Sequence, residues 1–199
     1  MHQKITGNLY AIRMKCVIII GPQAVGKMTV GRAIAEKTGY KLLHNHMTID
    51  FLLNFFDFDS TAFGRLDTLF RCSIMDEVAK SSMSGFIFTF MFALDLPDEW
   101  KYIRNIEDIF QTRNHKVVFL ELEASVNARK DRNITPFRLE QKPSKRDIEA
   151  SQKRFMEFGK NHRFNSKLGE FDGRHHLKIN NENMSPEEVA ETAIRELKL

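Results

Sequence analysis

Short apolar runs alternate along the chain with longer stretches in which apolar residues recur every three or four positions. Apolar, β-branched runs of four or five residues are typical of strands buried on both faces, and the longer spacing is typical of helices covering a sheet. The runs lie at 16–20, 41–43, 86–94, 117–120 and 177–179. This alternation predicts an α/β protein with a parallel sheet between helical layers.

Helical spacing predicts five longer helices: after residue 26, over 61–81, around 102–110, over 147–163 and from 186 onward. Gly39 is a typical stop for the first helix. Ser185, Pro186 and Glu188 supply the cap, first-position proline and third-position glutamate that begin the last helix. Phe155 and Phe158 are expected on the inner side of the helix over 147–163.

The residues between the first strand and first helix carry the most specific pattern of the chain. Two glycines stand five positions apart, and Lys27 follows the second. Glycines let the backbone fold around an anion, and successive N–H groups and the following helix N-terminus attract phosphate. The expected phosphate-binding positions are Gly21, Gln23, Ala24, Val25, Gly26, Lys27, Met28 and Thr29.

Met28 stands where this loop pattern normally has Ser or Thr as a Mg²⁺ ligand. A thioether is a soft ligand, whereas Mg²⁺ prefers hard oxygens. Thr29 is one residue on, about 100° round the helix, and is expected to contact the α-phosphate. The ion would then be held by nucleotide oxygens, water and a carboxylate elsewhere.

The composition fits one globular domain with a small insert. The chain has 199 residues and a formal net charge of +4. No run of eighteen apolar residues and no signal-peptide core is present, so we expect a cytoplasmic protein without a membrane span. Cys16 and Cys72 belong to no paired motif, which favours reduced thiols. Residues 1–13 are expected to be an N-terminal extension, ahead of a domain over 14–199.

Basic residues concentrate between 129 and 146, where the sequence has seven basic and only two acidic residues. Arginines stabilise the charge of a transferring phosphoryl group, so this stretch could be a lid over a triphosphate, about residues 133–146. A solvated basic loop is the alternative. Arg129 and Arg132 would share a helix face, and Arg138 is the next candidate.

Three sets of residues could form the rest of a site. Asp95 follows the run 86–94, where it could hold a water of a Mg²⁺ shell or cap a turn before Pro97. His44 and His46 could line an acceptor pocket, bind a metal, or cap the next helix. His46 could act as general base on an acceptor hydroxyl, and Asp50 competes for that role.

The next helix carries Arg65 and Arg71, either of which could bind an acidic or polar group of the acceptor. Several phenylalanines lie in the same region, and core packing is the default expectation for them, although some could wall an acceptor cleft. They are Phe51, Phe55, Phe56, Phe58 and Phe63.

These residues together resemble the P-loop small-molecule kinases, the superfamily of shikimate, gluconate and nucleoside monophosphate kinases with antibiotic phosphotransferases as neighbours. The resemblance spans about residues 15–198 and is carried by the phosphate loop, the basic stretch and the closing strand, loop and helix. It implies a three-layer α/β/α fold with a five-stranded parallel sheet in the order 2-3-1-4-5. It also implies ATP on the loop, adenine between the lid root and the loop over 180–183, and an acceptor beside the second strand.

Two departures from shikimate kinases indicate a different acceptor. Their Asp-Ser-Asp after the second strand is replaced by His44-Asn45-His46, and their paired glycines after the third strand by Ala93-Leu94-Asp95. The leading hypothesis is therefore an ATP- and Mg²⁺-dependent kinase that phosphorylates a hydroxyl of a small molecule. A regulatory ATP switch with weak ATPase activity is the alternative. A nucleic-acid end kinase ranks last, since charge outside the basic stretch is near neutral.

Overall fold

The sheet has five strands, all parallel, in a computed structural model that describes residues 13–136, 140 and 146–199. The strands are β1 (Lys15–Ile20), β2 (Lys41–His44), β3 (Gly85–Thr89), β4 (Lys116–Glu123) and β5 (His175–Asn180). They pair in the order β2-β3-β1-β4-β5. The predicted α/β class and strand order are confirmed.

Seven helices of the described chain pack around this sheet. They are α1 (Lys27–Thr38), α2 (His46–Leu52), α3 (Thr61–Lys80), α4 (Pro97–Gln111), α5 (Val126–Asn133), α6 (Ile148–Asn161) and α7 (Pro186–Leu197). Gly39 ends α1 in the left-handed conformation, and Ser185 and Glu188 form the expected capping box on α7. None of the described helices is long and apolar enough to cross a membrane.

The central strand β1 supplies both hydrophobic cores because successive side chains point to opposite faces of a sheet. Cys16, Ile18 and Ile20 face the core shared with α3 and α4. Val17 and Ile19 face the core shared with α1 and α7. All five side chains are fully buried. The phosphate loop therefore follows a strand that is buried on both faces.

The apolar run 86–94 is longer than the strand it was expected to form. β3 ends at Thr89, although Phe90 still donates its N–H to the carbonyl of Ile19 at 2.9 Å. Beyond that point Phe92 and Leu94 remain buried under α4, where Trp100 packs against Phe92 with ring centroids 4.7 Å apart. Burial without strand pairing explains why the sequence pattern could not locate the strand end.

The phenylalanines after β2 also depart from expectation. Phe63 is buried, but Phe51, Phe55, Phe56 and Phe58 are exposed, Phe55 by 65%. Core packing was thus wrong for most of this set, because short α2 lies at the edge of the sheet and covers little of it. On α6, Phe155 is buried as predicted, while the side chain of Phe158 lies outside the described residues, as do residues 1–12 and most of the expected lid.

Glu121 lies on β4, next to the edge strand β5, and its carboxylate is fully buried. Its oxygens accept hydrogen bonds from His176 Nε2 at 2.9 Å, Ser166 Oγ at 2.6 Å and Asn165 Nδ2 at 2.9 Å. Burial alone would raise the pKa of Glu121, but these hydrogen bonds outweigh it and lower the pKa to about 2. The ionised form is thus stabilised in the folded protein.

Because the folded-state pKa of Glu121 is depressed from 4.5 to about 2, its contribution to stability is present above pH 4.5. That contribution, about 3 kcal/mol, should be lost as the pH falls from 4.5 toward 2. Urea unfolding across this range should show the free energy of unfolding falling as the pH falls. Glu121→Gln should remove most of this pH dependence and should lower the free energy of unfolding at pH 7 by roughly 2–4 kcal/mol. Glu123→Gln, on the same strand but partly exposed, is the matched control and should do neither.

Candidate functional site

The loop between β1 and α1 has the backbone of an anion cradle. Gly21 and Gly26 have φ of 132° and 107°, and Ala24 has φ of 62°. Alternation of left- and right-handed residues turns successive N–H groups toward one side, where an anion can bind them. A side chain at Gly21 would place its Cβ 2.4 Å from the carbonyl oxygen of Leu122 on β4. Glycine is therefore required there by both conformation and space.

The loop carbonyls point the other way and are held by side chains. Lys27 Nζ donates to the carbonyls of Gly21 at 2.5 Å and Pro22 at 2.7 Å. The Lys27 side chain thus folds back over the loop. From there it would link the loop to a bound phosphate. A bound triphosphate would offer the same ammonium group charged oxygens in place of these neutral carbonyls.

Both predicted lid arginines of α5 reach the loop backbone. Arg129 Nη1 donates to the carbonyl of Gln23 at 3.3 Å, and Arg132 Nη1 donates to that of Val25 at 3.2 Å. Asn181 Nδ2, after β5, donates to the same Val25 carbonyl at 2.8 Å. These contacts come from outside the cradle and fix its shape.

A cavity of about 790 Å³ opens over the loop, a volume suited to a nucleotide with a small acceptor. Its phosphate end is lined by residues 23–30. The remaining lining residues come from α2, the end of β3, α5, α6 and the start of α7, and from the segments that follow β2, α2, β3, α5 and β5. They are Asn45, His46, Ile49, Leu53, Phe58, Asp59, Thr89, Met91, Arg132, Thr135, Glu157, Asn181, Met184 and Pro186.

His46 is the titratable side chain best placed for acid–base chemistry. It begins α2, lines the cavity with only 6% of its surface exposed, and its Nδ1 lies 3.4 Å from Asp50 Oδ1. Asp50 itself does not line the cavity. The two candidate bases therefore lie beside each other, and of the two His46 is the one that lines the cavity.

His44 is separated from this arrangement, since it ends β2 and does not line the cavity. Its neighbour Asn45 does, and the Asn45 N–H donates to Thr89 Oγ1 at 3.1 Å. Thr89 ends β3, so the contact joins the carboxyl ends of two adjacent strands beside the phosphate loop. In the described ranges, no three His, Cys, Asp or Glu side chains group closely enough for a metal site.

Neither arginine expected to bind the acceptor lines the cavity. Arg71 is buried and forms an ion pair with Asp67, Nη1 to Oδ2 2.9 Å, while its Nε donates to Thr48 Oγ1 at 3.0 Å. Burial raises the pKa of Asp67, and Arg71 and the Thr48 hydroxyl oppose that rise. Arg65 is exposed on α3. Arg71 thus holds Thr48 of α2 in place and is not part of the cavity lining.

Asp95 also lies outside the cavity lining. Its carboxylate accepts the Arg163 N–H at 2.9 Å and lies 3.1 Å from His162 Nδ1. The Arg163 N–H, followed by the His162 side chain, lowers the pKa of Asp95. Asp95 lies in a turn before Pro97, as the alternative interpretation expected, but its partners are distant in sequence and Leu96 is the N-cap of α4. The structure does not bring Asp95 to the cavity. Arg138, the remaining predicted nucleotide contact, lies outside the described residues.

Several lining residues had no sequence signal. Asp59 and Glu157 belong to a loop and to α6, and nothing in their local pattern marks them as cavity residues. Thr89 could have been found from its place at the end of a central strand, where ligands bind in open sheets. Its position was hidden because the apolar run continues past it.

Hard oxygen donors for Mg²⁺ are sparse beside the phosphate loop. Met28 offers a thioether, while Thr29 and Thr89 offer hydroxyls. Such a lining fits an ion bound chiefly by the phosphate oxygens of a nucleotide and by water, as is common for Mg²⁺. The donor set is compatible with a metal–nucleotide complex and does not form a cage of its own.

Three solved structures show the same fold at low sequence identity. A candidate kinase from Chloroflexus aurantiacus has a TM-score of 0.65 and 16% identity, over 94% of this chain and 97% of that one. The tunicamycin resistance protein of Deinococcus radiodurans has a TM-score of 0.59 and 16% identity, over 94% and 96%. The APS kinase of Mycobacterium tuberculosis, in complex with AMPPNP and APS, has a TM-score of 0.57 and 13% identity, over 94% and 99%.

No protein-family model matches the sequence, and no curated protein matches it significantly. The structural likeness nevertheless extends over nearly the whole of each chain. The protein therefore has the fold of P-loop small-molecule kinases, as the sequence resemblance implied.

We expect Gly21→Ala to destabilise the protein by at least about 3 kcal/mol, because the new Cβ meets a backbone carbonyl at an unfavourable φ. Urea unfolding measures the change. Gly64→Ala, on exposed α3 with open space around the added Cβ, is the control and should be neutral or stabilising. Equal effects of the two substitutions would contradict the close approach between the loop and β4.

Proposed function

We propose that this protein is an ATP-dependent phosphotransferase that moves the γ-phosphate of ATP to a hydroxyl group of a small molecule. The observation that carries the proposal is the shared cavity, which has the phosphate loop and Lys27 on one side and His46 on the other. Donor phosphate and acceptor hydroxyl could meet there in a single enclosed space.

The nucleotide would lie with its phosphates on the loop amides and Lys27. Its base would lie toward Asn181, Met184 and Pro186, which line the cavity beyond the loop. Asn181 Oδ1 is buried and has no hydrogen-bond partner among the described residues. A buried acceptor without a donor is costly, so an amino group of the base would be a suitable partner.

The chemical step needs little covalent work from the protein. The acceptor oxygen forms a bond to the γ-phosphorus, and the bond from that phosphorus to the β,γ-bridging oxygen breaks. ADP leaves with the electron pair, and His46 accepts the hydroxyl proton. Asp50 is the positioning residue, because its carboxylate lies 3.4 Å from His46 Nδ1 and orients the imidazole.

Charge on the transferred group would be stabilised by Lys27 and Arg132, both of which line the cavity. Arg129 does not line it, and its contact with the Gln23 carbonyl supports the loop from behind. Burial lowers the pKa of Arg129. Mg²⁺, when bound with ATP, would supply further positive charge at the phosphates. The Met28 side chain would contribute no oxygen ligand to the ion.

A regulatory ATP switch uses the same phosphate loop and differs in having no acceptor. The presence of His46 in the cavity lining favours the kinase, because a switch has no need of a general base in the nucleotide cavity. A nucleic-acid end kinase would need a basic surface leading to the cavity. The described acidic lining residues Asp59 and Glu157 disfavour it.

Lys27→Ala should abolish ATP turnover and weaken ATP binding by about 100-fold or more, since it removes the cation at the phosphates. Isothermal titration with AMPPNP and ADP release measure the two effects. Lys37→Ala is the matched control on the same helix, where the exposed lysine pairs with Glu191. Unchanged turnover in Lys27→Ala would remove the proposed mechanism.

His46→Gln should lower kcat by about 10²–10⁴-fold with little change in AMPPNP affinity, because the acceptor proton loses its base. Asp50→Asn should lower kcat by about tenfold with AMPPNP affinity unchanged, since His46 loses the carboxylate beside its Nδ1. In a protein that already carries His46→Gln, Asp50→Asn should lower kcat no further, and a further loss there would indicate a merely structural role for Asp50.

A further inference from the structure

The acceptor side of the cavity has an apolar wall. On α2, His46, Ile49 and Leu53 follow one another at i, i+3 and i+7 and therefore share one helix face. Phe58 and Met91 continue this wall from the following loop and from beyond β3. Large apolar side chains in a binding cavity favour a ligand with an apolar body.

Among the described residues, no Lys or Arg belongs to that wall. Within the part of the chain that the structure describes, the Lys and Arg side chains of the lining are Lys27 and Arg132, which belong to the phosphate loop and α5. Arg71 would be the obvious partner of an acidic acceptor. Its guanidinium is instead committed to Asp67, to the Thr48 hydroxyl and to the Asn45 carbonyl at 3.1 Å.

Negative charge, by contrast, is present. Asp59 lies next to Phe58 in the lining, and Glu157 reaches the cavity from α6. Both residues are exposed, so their carboxylates are open to solvent. An anionic acceptor would leave water to meet these like charges, and the described lining offers no Lys or Arg beyond Lys27 and Arg132, whereas a cation would be attracted.

We infer that the acceptor is an amphipathic alcohol with an apolar body and no acidic group, and that an amino group on it increases its affinity. This inference rests on the proposed kinase function, because it assigns the second substrate of that reaction. It excludes hydroxy acids of the kind that a free arginine in the acceptor pocket would select.

A matched set of three compounds tests the inference. 2-Amino-1-phenylethanol, 1-phenylethane-1,2-diol and mandelate share a phenyl ring and a benzylic hydroxyl, and carry positive, zero and negative charge. Calorimetry on the AMPPNP-bound protein should give the affinity order amine, diol, mandelate, with about tenfold or more between the first and last. ADP release with Mg²⁺-ATP should follow the same order.

Charge variants identify the origin of the preference. The double variant Asp59→Asn with Glu157→Gln should reduce the preference for the amine over mandelate to about threefold or less, and leave affinity for the diol unchanged. Asp57→Asn with Glu149→Gln is the matched control: both acids are exposed, one on the same loop and one on α6, and neither lines the cavity.

The outcomes separate this inference from the proposed function. The inference would be overturned if the protein preferred mandelate, shikimate or gluconate, or if none of the three compounds of the matched set bound. Lys27-dependent ATP turnover would in that case still support the kinase proposal. A charge preference that persists in the Asp59 and Glu157 double variant would also overturn it. Absence of any Lys27-dependent AMPPNP binding would end both.

Discussion

The anion cradle depends on how its carbonyl groups are held. Its N–H groups can face a phosphate only if the carbonyls turn away, and carbonyls away from water need donors. Lys27 supplies donors to Gly21 and Pro22, Arg129 to Gln23, and Arg132 with Asn181 to Val25. The Val30 N–H, in the first turn of α1, holds the carbonyl of Gly26 at 3.0 Å.

Donors from α5, from the segment after β5 and from α1 therefore converge on one six-residue loop. Arg132 strengthens the link, because its Nη2 also donates to the carbonyls of Asn181 and Glu182, both at 3.0 Å. Movement of α5 would then alter the loop and the expected base-binding segment together. Hydrogen bonds thus join the cradle, the two arginines and the segment after β5 into one network.

The phosphate end of this site could be predicted from sequence, whereas the acceptor end could not. Two glycines and a lysine at fixed spacing, between a strand and a helix, determine a local backbone structure, so Gly21 and Lys27 were found directly. His46 was found because it follows β2. Asp59 and Glu157 are brought to the cavity by loop and helix packing over long sequence separations, which no local pattern encodes.

The errors have two causes. A run of apolar residues reports burial, and burial under a helix looks the same as burial in a sheet, so the end of β3 at Thr89 was hidden. Arg71 was expected to bind the acceptor, but it pairs with Asp67 four residues earlier on α3, a local pair that the spacing of the two residues on a helix would have predicted. The strand order was implied by resemblance and confirmed by pairing.

The cavity lining carries charges of both signs, and these charges bear on mechanism as well as specificity. Lys27 begins α1 and Arg132 belongs to α5, while Asp59 belongs to the loop before α3 and Glu157 to α6. A phosphate group is attracted to the first pair and repelled by the second. An acceptor without negative charge would leave this field intact, and an acidic one would compete with ATP for the same cations. The commitment of Arg71 to Asp67 is thus consistent with a site in which positive charge is reserved for the nucleotide.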